Sequence, residues 1–283
     1  MAESLHISTY PKLSSVNCHH TTPIVLIHGW GLNSAVWQPW IDNLPAAFFD
    51  VFHIITLDLP GFGINKDKKI SPYSLQNICQ FISDTITQPA IYVGWSLGGV
   101  IATEMTLSFP DKVLALITVA SSPRFIEQAG DNNEQDVWPG IKPKVLNSFH
   151  QQLKFDTKKT ISGFLKIQAM GSPHIRHDIK VISQLVFQHE MASKVTLDQS
   201  LRLLETSDHR TRLSAIKQPF LRLYGEADSL VPKTVIAQIA KLAQNSEQFV
   251  FKQASHAPFI SHADDFSKIL CNWLLTKAEG NFS

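Results

Sequence analysis

The feature that most constrains this chain is a serine set between two glycines. Residues 94–98 read Gly-Trp-Ser-Leu-Gly, with the apolar run 91–93 before them and a helix-compatible stretch, 100–105, after them. This context predicts a tight turn from a strand into a helix, with Ser96 in a strained backbone conformation at the turn. Glycine is expected on both sides because a side chain there would collide with the adjoining strand or helix. The Ser96 hydroxyl is therefore predicted to be a nucleophile pushed into the open.

A nucleophilic serine needs a base and a group that orients the base, and two later segments offer them. Residues 220–228 form a predicted strand and a Gly-containing turn that ends at Asp228, and residues 249–256 repeat this arrangement and end at His256. The carboxyl ends of parallel strands meet at one edge of a sheet, where α/β proteins collect functional groups. Ser96, Asp228 and His256 are therefore predicted to be the nucleophile, the orienting acid and the general base.

Other residues could fill two of these roles. His262 is the nearest alternative base, but it follows residues 258–261 and is predicted to lie in or before the next helix. Glu226 remains an alternative acid, two residues before Asp228. Asp58 also ends a predicted strand, yet it precedes the serine in the chain and is interpreted as a residue that forms a turn or braces a loop.

The loop after an early strand predicts a site for an oxyanion. The β-rich run 23–27 leads into residues 28–31, which read His-Gly-Trp-Gly. Glycines on both sides of Trp30 let the backbone bend inward and offer its amide. The backbone N–H groups of Trp30 and of Leu97, at the start of the helix after the serine, are the predicted pair of oxyanion donors.

Strand-like and helix-like segments alternate along the chain, which predicts an α/β fold with a mostly parallel sheet flanked by helices. The predicted strands cover residues 24–28, 52–58, 90–94, 113–120, 220–225 and 248–253. About 100 residues separate the fourth of these from the fifth, where a single crossover helix would need far fewer. That interval holds three amphipathic patterns, at 145–153, 158–170 and 175–187. We interpret it as a helical cap, residues 123–205, inserted into a core formed by residues 1–122 and 206–283.

The predicted cap concentrates positive charge. The whole chain has a formal net charge of +1, but residues 142–180 hold eight Lys or Arg against two Asp, a balance of +6. This stretch is either a solvated helical face or a docking surface for an acidic partner, since such surfaces steer encounter and fix orientation. A nucleic-acid partner is not expected because the chain as a whole is nearly neutral.

Composition indicates a globular protein of the cytoplasm. Apolar residues make up 44% and charged residues 17%, so the chain is neither disordered nor fibrous. Its cysteines, Cys18, Cys79 and Cys271, form no CxxC pair and no metal-ligand spacing, which suits a reducing compartment. We predict no signal peptide and no membrane span, and we expect a monomer.

Six motifs carry a resemblance to a known family. Residues 28–33, 58–63, 94–99, 119–123, 138–143 and 256–262 read HGWGLN, DLPGFG, GWSLGG, VASSP, WPGIKP and HAPFISH. The first three are shared across the α/β-hydrolase superfamily, whereas the last two are much narrower. Over nearly its whole length the chain resembles the pimeloyl-[acyl-carrier protein] methyl ester esterases of biotin synthesis. The stretch through His20 and residues 127–136 look like additions, to which no role is assigned.

The resemblance implies an α/β-hydrolase fold and a serine carboxylesterase that needs no metal or organic cofactor. Its substrate would be a methyl pimeloyl chain on an acidic acyl carrier protein. Phe164 and Gln168 would line the substrate channel together with the site residues Trp30, Ser96, Leu97 and His256. The cap would meet the carrier at Lys159, Arg176 and Lys180. Gly163 departs from the family, because an arginine is expected there.

Two other functions remain open at this point. A generalist short-chain carboxylesterase or a carbon–carbon bond hydrolase would use the same serine, and only the shape of the pocket separates them from the carrier-linked esterase. A ligand receptor that keeps the site for binding alone is a third reading of the same fold.

Overall fold

A mostly parallel sheet organises the computed structural model, which describes residues 4–11, 21–129, 137–280 and 282. Within these ranges the sheet has seven strands, in the order β1-β3-β2-β4-β5-β6-β7. They are β1 Ile7–Tyr10, β2 Thr22–Ile27, β3 Phe52–Leu57, β4 Ala90–Trp95, β5 Val113–Val119, β6 Phe220–Gly225 and β7 Ser246–Phe251. Of these seven described strands, only β1 runs antiparallel to its neighbour. The predicted α/β class and the six predicted strands agree with this sheet, with ends that differ by up to two residues.

Ten α-helices flank or cover the sheet in the described ranges. They are α1 Gln38–Asp42, α2 Leu75–Thr85, α3 Leu97–Ser108, α4 Pro143–Phe155, α5 Thr157–Ala169, α6 Ile175–Val186, α7 Lys194–Thr206, α8 Lys233–Leu242, α9 Pro258–Ser261 and α10 Ala263–Glu279. None of the helices in the described ranges is long and apolar enough to cross a lipid bilayer.

The central strands lie inside the protein because helices cover both faces of the sheet. Every residue of β3, β4 and β6 is buried, whereas β7 at the edge is largely exposed. Strands buried on both faces read as near-continuous apolar runs in parallel sheets, and this made the central strands recognisable in the sequence.

Part of the N-terminal stretch has a structural role that the sequence analysis did not assign to it. Ile7–Tyr10 forms β1, which pairs with β3 at the sheet edge. The backbone N–H of Leu5 donates to Thr85 Oγ1 at 2.9 Å, and that of His6 donates to Asn65 Oδ1 at 2.8 Å. A four-residue edge strand has too short a pattern to be recognised without its partner. Residues 12–20, Cys18 among them, and most of the predicted addition at 127–136 lie outside the described residues.

Among the described residues between β5 and β6, the chain forms four α-helices, α4 to α7. Three of them match the predicted amphipathic patterns, and α7 was not predicted. A local signal for α7 was present, because Ser193 Oγ accepts the backbone N–H of Thr196 at 3.1 Å as a helix cap. Trp30 Nε1 donates to the carbonyl of Leu197 at 3.0 Å, which ties α7 to the loop after β2. The division into core and cap at the stated boundaries remains a prediction.

Candidate active site

Ser96 lies in a sharp turn between β4 and α3, with φ 56° and ψ −117°. The turn leaves no room for side chains around it. A Cβ added to Gly94 would lie 2.1 Å from the carbonyl oxygen of Gly98, and one added to Gly98 would lie 2.4 Å from that of Ile27. Ser121 Oγ donates to the Ser96 carbonyl at 2.8 Å and helps to hold the turn. The backbone strain is therefore supported by its surroundings, as at strained functional sites generally.

The prediction that the Ser96 hydroxyl is pushed into the open is wrong for this structure. Ser96 is only 1% exposed, and its Oγ is buried. The reason is long-range, because α5 packs over this edge of the sheet and the sequence around the serine carries no sign of it. Ser96 is thus shielded from bulk water.

His256 and Asp228 form a buried hydrogen-bonded pair. His256 Nδ1 lies 2.7 Å from Asp228 Oδ2, and both side chains are almost wholly buried. The other carboxylate oxygen, Asp228 Oδ1, accepts the backbone N–H groups of Leu230 at 2.8 Å and Val231 at 3.1 Å. Because the carboxylate is anchored on one side and accepts the Nδ1 proton on the other, Nε2 of His256 is left as the lone-pair nitrogen.

The pair lies beside the serine turn. Trp95, which precedes the serine, donates its Nε1 proton to the carbonyl of His256 at 2.7 Å, and the two rings have their centroids 5.8 Å apart. Within the described part of the chain, neither Ser96 Oγ nor His256 Nε2 has a hydrogen-bond partner, so no bond joins them in this structure. Catalytic hydrogen bonds are often long without substrate and tighten once it binds.

The alternatives to the acid and the base have other partners. Glu226 pairs with Lys233 Nζ at 2.7 Å, and this hydrogen bond is the main reason that the pKa of its carboxyl is lowered. His262 Nδ1 lies 2.8 Å from Ser261 Oγ, just before α10. The structure therefore brings Asp228, and neither of these residues, into contact with His256.

The two predicted oxyanion donors lie on neighbouring loops. β2 and β4 pair in parallel, with Ile27 opposite Gly94, so the chain leaves both strands at the same edge. Gly31 has φ 76°, and a Cβ at Gly29 would lie 3.4 Å from Ser96 Cβ. Leu97 is the first residue of α3, where an N–H has no carbonyl one turn earlier to bond with. Among the described residues neither this amide nor that of Trp30 donates a hydrogen bond, which leaves both free near the serine.

Two buried residues around this loop were not assigned to the site from the sequence. Asp58 Oδ1 accepts the N–H of Ser34 at 2.6 Å and its Oδ2 that of Ile64 at 2.8 Å, so Asp58 braces two loops, as interpreted. His28 Nδ1 lies 2.8 Å from the Gly29 carbonyl, and its Nε2 accepts the N–H of Leu59 at 3.1 Å. The position of His28 directly before the Gly-Trp-Gly turn was the sequence feature that could have assigned it to the site.

Helix α5 lies across the whole site. Ile161 occupies the space beside Gly31, where an added Cβ would lie 2.4 Å from its Cδ1. The ring of Phe164 meets that of Trp30 edge to face, with centroids 4.8 Å apart. The carbonyl of Gln168 accepts the backbone N–H of His256 at 3.1 Å. Both atoms of the Gln168 side-chain amide are buried and have no partner among the described residues, so a donor and an acceptor remain unsatisfied close to His256.

The predicted docking residues lie apart from this buried centre. Lys159, Arg176 and Lys180 are exposed, and none of them forms an ion pair with a described residue. The acids of the same stretch are used internally, because Asp156 caps α5 and Asp178 is buried against Ser172 Oγ at 2.5 Å. The stretch therefore keeps its balance of +6, and in the described part of the chain no ion pair joins its acids to its basic side chains. Gly163 faces open space, because no atom of the described residues lies within 4 Å of an added Cβ.

Comparisons with known proteins identify the family. A model of the α/β hydrolase fold matches residues 22–263. A pimeloyl-[acyl-carrier protein] methyl ester esterase of Yersinia pseudotuberculosis serotype IB (strain PB1/+) is 40% identical over 250 residues, which cover 88% of this chain and 92% of that protein. The esterase of that name from Photobacterium profundum is 43% identical over 251 residues, covering 89% of this chain and 94% of that protein.

Solved structures agree at the level of the fold. An esterase from Exiguobacterium antarcticum superposes with a TM-score of 0.78 at 20% identity, covering 95% of this chain and 94% of that one. The enol-lactonase from Burkholderia xenovorans LB400 has a TM-score of 0.76 at 18% identity, covering 96% of each chain. The chain therefore belongs to the α/β hydrolases and, within them, to the family of pimeloyl-[acyl-carrier protein] methyl ester esterases.

Proposed function

We propose that this chain hydrolyses the methyl ester of a pimeloyl chain linked to an acyl carrier protein, releasing methanol and a free carboxylate. The observation that carries the proposal is a buried centre in which the Asp228–His256 pair, the strained Ser96 turn and two available amides meet. The names of its relatives supply the substrate. On this proposal the protein acts as a cytoplasmic monomer.

The first chemical step forms an acyl-enzyme. His256 Nε2 takes the Ser96 proton as Ser96 Oγ attacks the carbonyl carbon of the methyl ester. The resulting oxyanion accepts hydrogen bonds from the backbone N–H groups of Trp30 and Leu97. His256 then gives the proton to the methoxy oxygen as its bond to carbon breaks, and methanol leaves.

The second step releases the acid and restores the serine. A water molecule loses a proton to His256 and attacks the acyl-enzyme, and the same two amides hold the oxyanion. The bond to Ser96 Oγ breaks as His256 returns a proton to it. Asp228 keeps the His256 proton on Nδ1 and stabilises the charged imidazolium in both steps.

Residues of the cap complete the proposed binding site. Phe164 packs against Trp30 and offers apolar surface to the acyl chain. The unsatisfied amide of Gln168 offers hydrogen bonds to a polar atom of the substrate near His256. On the outside, exposed Lys159, Arg176 and Lys180 would attract an acidic carrier. A lysine makes a less geometrically selective contact than an arginine because it lacks the planar fork.

Ser96→Ala tests the proposal. With methyl pimeloyl-carrier as substrate, the wild-type protein should yield a product lighter by one methylene unit, as measured by mass spectrometry, together with methanol. The Ser96→Ala variant should lose at least about 10⁴-fold in kcat while keeping its melting temperature, because removing a triad member leaves only binding and the oxyanion donors. Ser267→Ala on α10 is the matched control and should keep full activity.

Three outcomes would contradict the proposal. Unchanged turnover in Ser96→Ala would exclude the serine mechanism. Rapid hydrolysis of a chromogenic short-chain ester by a wild-type protein that leaves the carrier-linked ester intact would favour a generalist carboxylesterase. A protein that turns over neither ester but binds them would be a receptor.

A further inference from the structure

Two large apolar side chains project from neighbouring ends of α4 and α7. Phe155 is 83% exposed and Val195 is 65% exposed, the highest values for large apolar residues in the described part of the chain. Lys194 Nζ donates to the carbonyl of Lys154 at 3.0 Å, so the end of α4 and the start of α7 lie side by side. We call Phe155 and Val195 the apical patch.

The packing of the cap does not require either side chain. α4 buries Leu146, Phe149 and Leu153, and the Phe149 ring packs against Phe164 with centroids 5.4 Å apart. Phe155 follows Leu153 by two residues and so lies away from that buried stripe. α7 buries Leu197 and Leu201, whereas Val195 precedes its buried stripe. Phe155 therefore presents its ring to water, and burying that ring against a partner would be favourable.

Lysines surround the apical patch. Lys154 and Lys194 are next to it in the chain, and Lys158 and Lys159, in the first turn of α5, follow Phe155 by three and four residues. Lys158 Nζ lies 5.5 Å from the centroid of the Phe187 ring. None of these four lysines forms an ion pair with a described residue. The nearby acid, Asp156, accepts the backbone N–H of Lys159 at 2.9 Å as the cap of α5. The patch is thus an apolar spot on a surface that carries four lysines and one exposed acid, Asp156.

We propose that the apical patch is a docking contact for the carrier protein, formed against an apolar side chain on an acidic face of that carrier. This inference rests on the proposed function, because a substrate tethered to a protein brings that protein to the mouth of the acyl channel. α5 connects the two places. Its inner side carries Phe164 and Gln168 at the site, and its first turn, with Lys159, borders the patch.

The two kinds of side chain have different tasks in this arrangement. Lysines attract an acidic partner over a distance and raise the rate of encounter, whereas the buried apolar contact slows dissociation once the partner has docked. An exposed aromatic residue surrounded by charge matches the anatomy of interfaces, in which an apolar anchor is enclosed by a polar rim.

The test is the double variant Phe155→Ser/Val195→Ser, assayed with two substrates. For methyl pimeloyl-carrier the KM should rise about tenfold or more, with kcat unchanged, because the lost contact serves binding alone. Hydrolysis of a small ester without a carrier should be unaffected, and so should the melting temperature. The matched control is Phe249→Ser on β7, which removes a side chain that is 38% exposed at the edge of the sheet.

Each contrary result has a distinct meaning. An unchanged KM for the carrier-linked ester in the double variant would overturn the inference and leave the proposed function standing. Equal losses on both substrates would overturn it as well, by showing a structural role. Binding of the wild-type protein to phosphatidylglycerol vesicles, lost in the double variant while the carrier KM is unchanged, would assign the patch to a membrane surface. If the wild-type protein releases no methanol from the carrier-linked ester, the proposed function itself fails.

Discussion

His28 lies wholly inside the protein, and both nitrogens of its ring bond to backbone groups. The N–H of Leu59 donates to Nε2, so the ring proton must be on Nδ1, which donates to the carbonyl of Gly29. Burial is the main cause that lowers the pKa of His28, which keeps the ring neutral. In a trans peptide the carbonyl and the next N–H point in opposite directions. Holding the Gly29 carbonyl therefore also sets the direction of the Trp30 N–H.

Replacing His28 should lower the rate of the chemical step. In His28→Leu the Gly29–Trp30 peptide loses its anchor, and the Trp30 amide no longer points reliably at the oxyanion. Loss of one oxyanion donor costs about 10²–10³ in kcat, so a misdirected donor should cost about ten- to a hundredfold with little change in KM. Steady-state kinetics with a small ester measure this. His177→Leu, on the exposed side of α6, is the control, and a kcat equal to that of the wild type would refute the positioning role.

The sequence could predict the residues of the site better than their surroundings. Ser96 and Asp228 each follow a strongly apolar, buried strand, whereas His256 follows β7, which is largely exposed. The turn chemistry at all three positions is local, so short patterns place them at one rim. The burial of Ser96 and the unsatisfied amide of Gln168 depend on where α5 packs, which is about 60 residues or more beyond the serine in the chain. No local pattern reports such packing. The hydrogen bond at His28 Nε2 likewise depends on a distant partner, Leu59, which lies in the loop after β3.

At the scale of elements, a buried acid ties the nucleophile helix to the chain that leaves α7. Glu104 on α3 accepts hydrogen bonds from His209 Nε2 at 2.8 Å, Arg212 at 2.8 Å and Ser108 Oγ at 2.5 Å. Burial alone would raise the pKa of Glu104, but these hydrogen bonds outweigh it and lower the pKa to about 2. The helix that presents Leu97 is thereby fixed to the segment between α7 and β6.

This cluster should make part of the stability depend on pH. Because the pKa of Glu104 is lower in the folded than in the unfolded protein, its contribution is complete above about pH 4.5 and is lost as the pH falls towards 2. Glu104→Gln should lower the free energy of unfolding at pH 7 and make it fall less steeply between these limits. Urea unfolding across this pH range measures both effects, with Glu279→Gln at the exposed end of α10 as the control. Parallel pH curves for wild type and Glu104→Gln would contradict the assignment.

The elements themselves were predictable to different degrees. Strands β2 to β6 could be recognised because burial on both faces gives continuous apolar runs, and α4 to α6 because one face is apolar at helical spacing. β1 could not be recognised, because its four residues are too short a pattern and form a strand only by pairing with β3. α7 was not predicted from the sequence. It follows a short link after α6, and the only local feature that marked its start was one capping residue, Ser193.

For the whole molecule, charge is distributed very unevenly. Residues 142–180 carry a balance of +6 in a chain whose net charge is +1, so the remainder carries −5. The acids within the stretch serve a helix cap and a buried hydrogen bond, which leaves the lysines and arginine of its exposed face free to act on a partner. The resulting electrostatic field attracts charged partners outside the molecule. It has little effect on the binding of the neutral methyl ester at the buried serine.

Ionic strength should therefore change kcat/KM for the carrier-linked ester and leave kcat/KM for a small neutral ester unchanged. The Debye length falls from about 30 Å at 0.01 M to about 8 Å at 0.15 M, so added salt screens the attraction between the basic face and an acidic carrier. We expect kcat/KM for methyl pimeloyl-carrier to fall by about tenfold or more across this range, while kcat/KM for a small neutral ester stays constant. The triple variant Lys159→Gln/Arg176→Gln/Lys180→Gln should show a flatter dependence with the carrier-linked ester and no change with the small one. If salt slows both substrates equally, it acts on the site or on the fold, and the basic face then has no part in recognising the carrier.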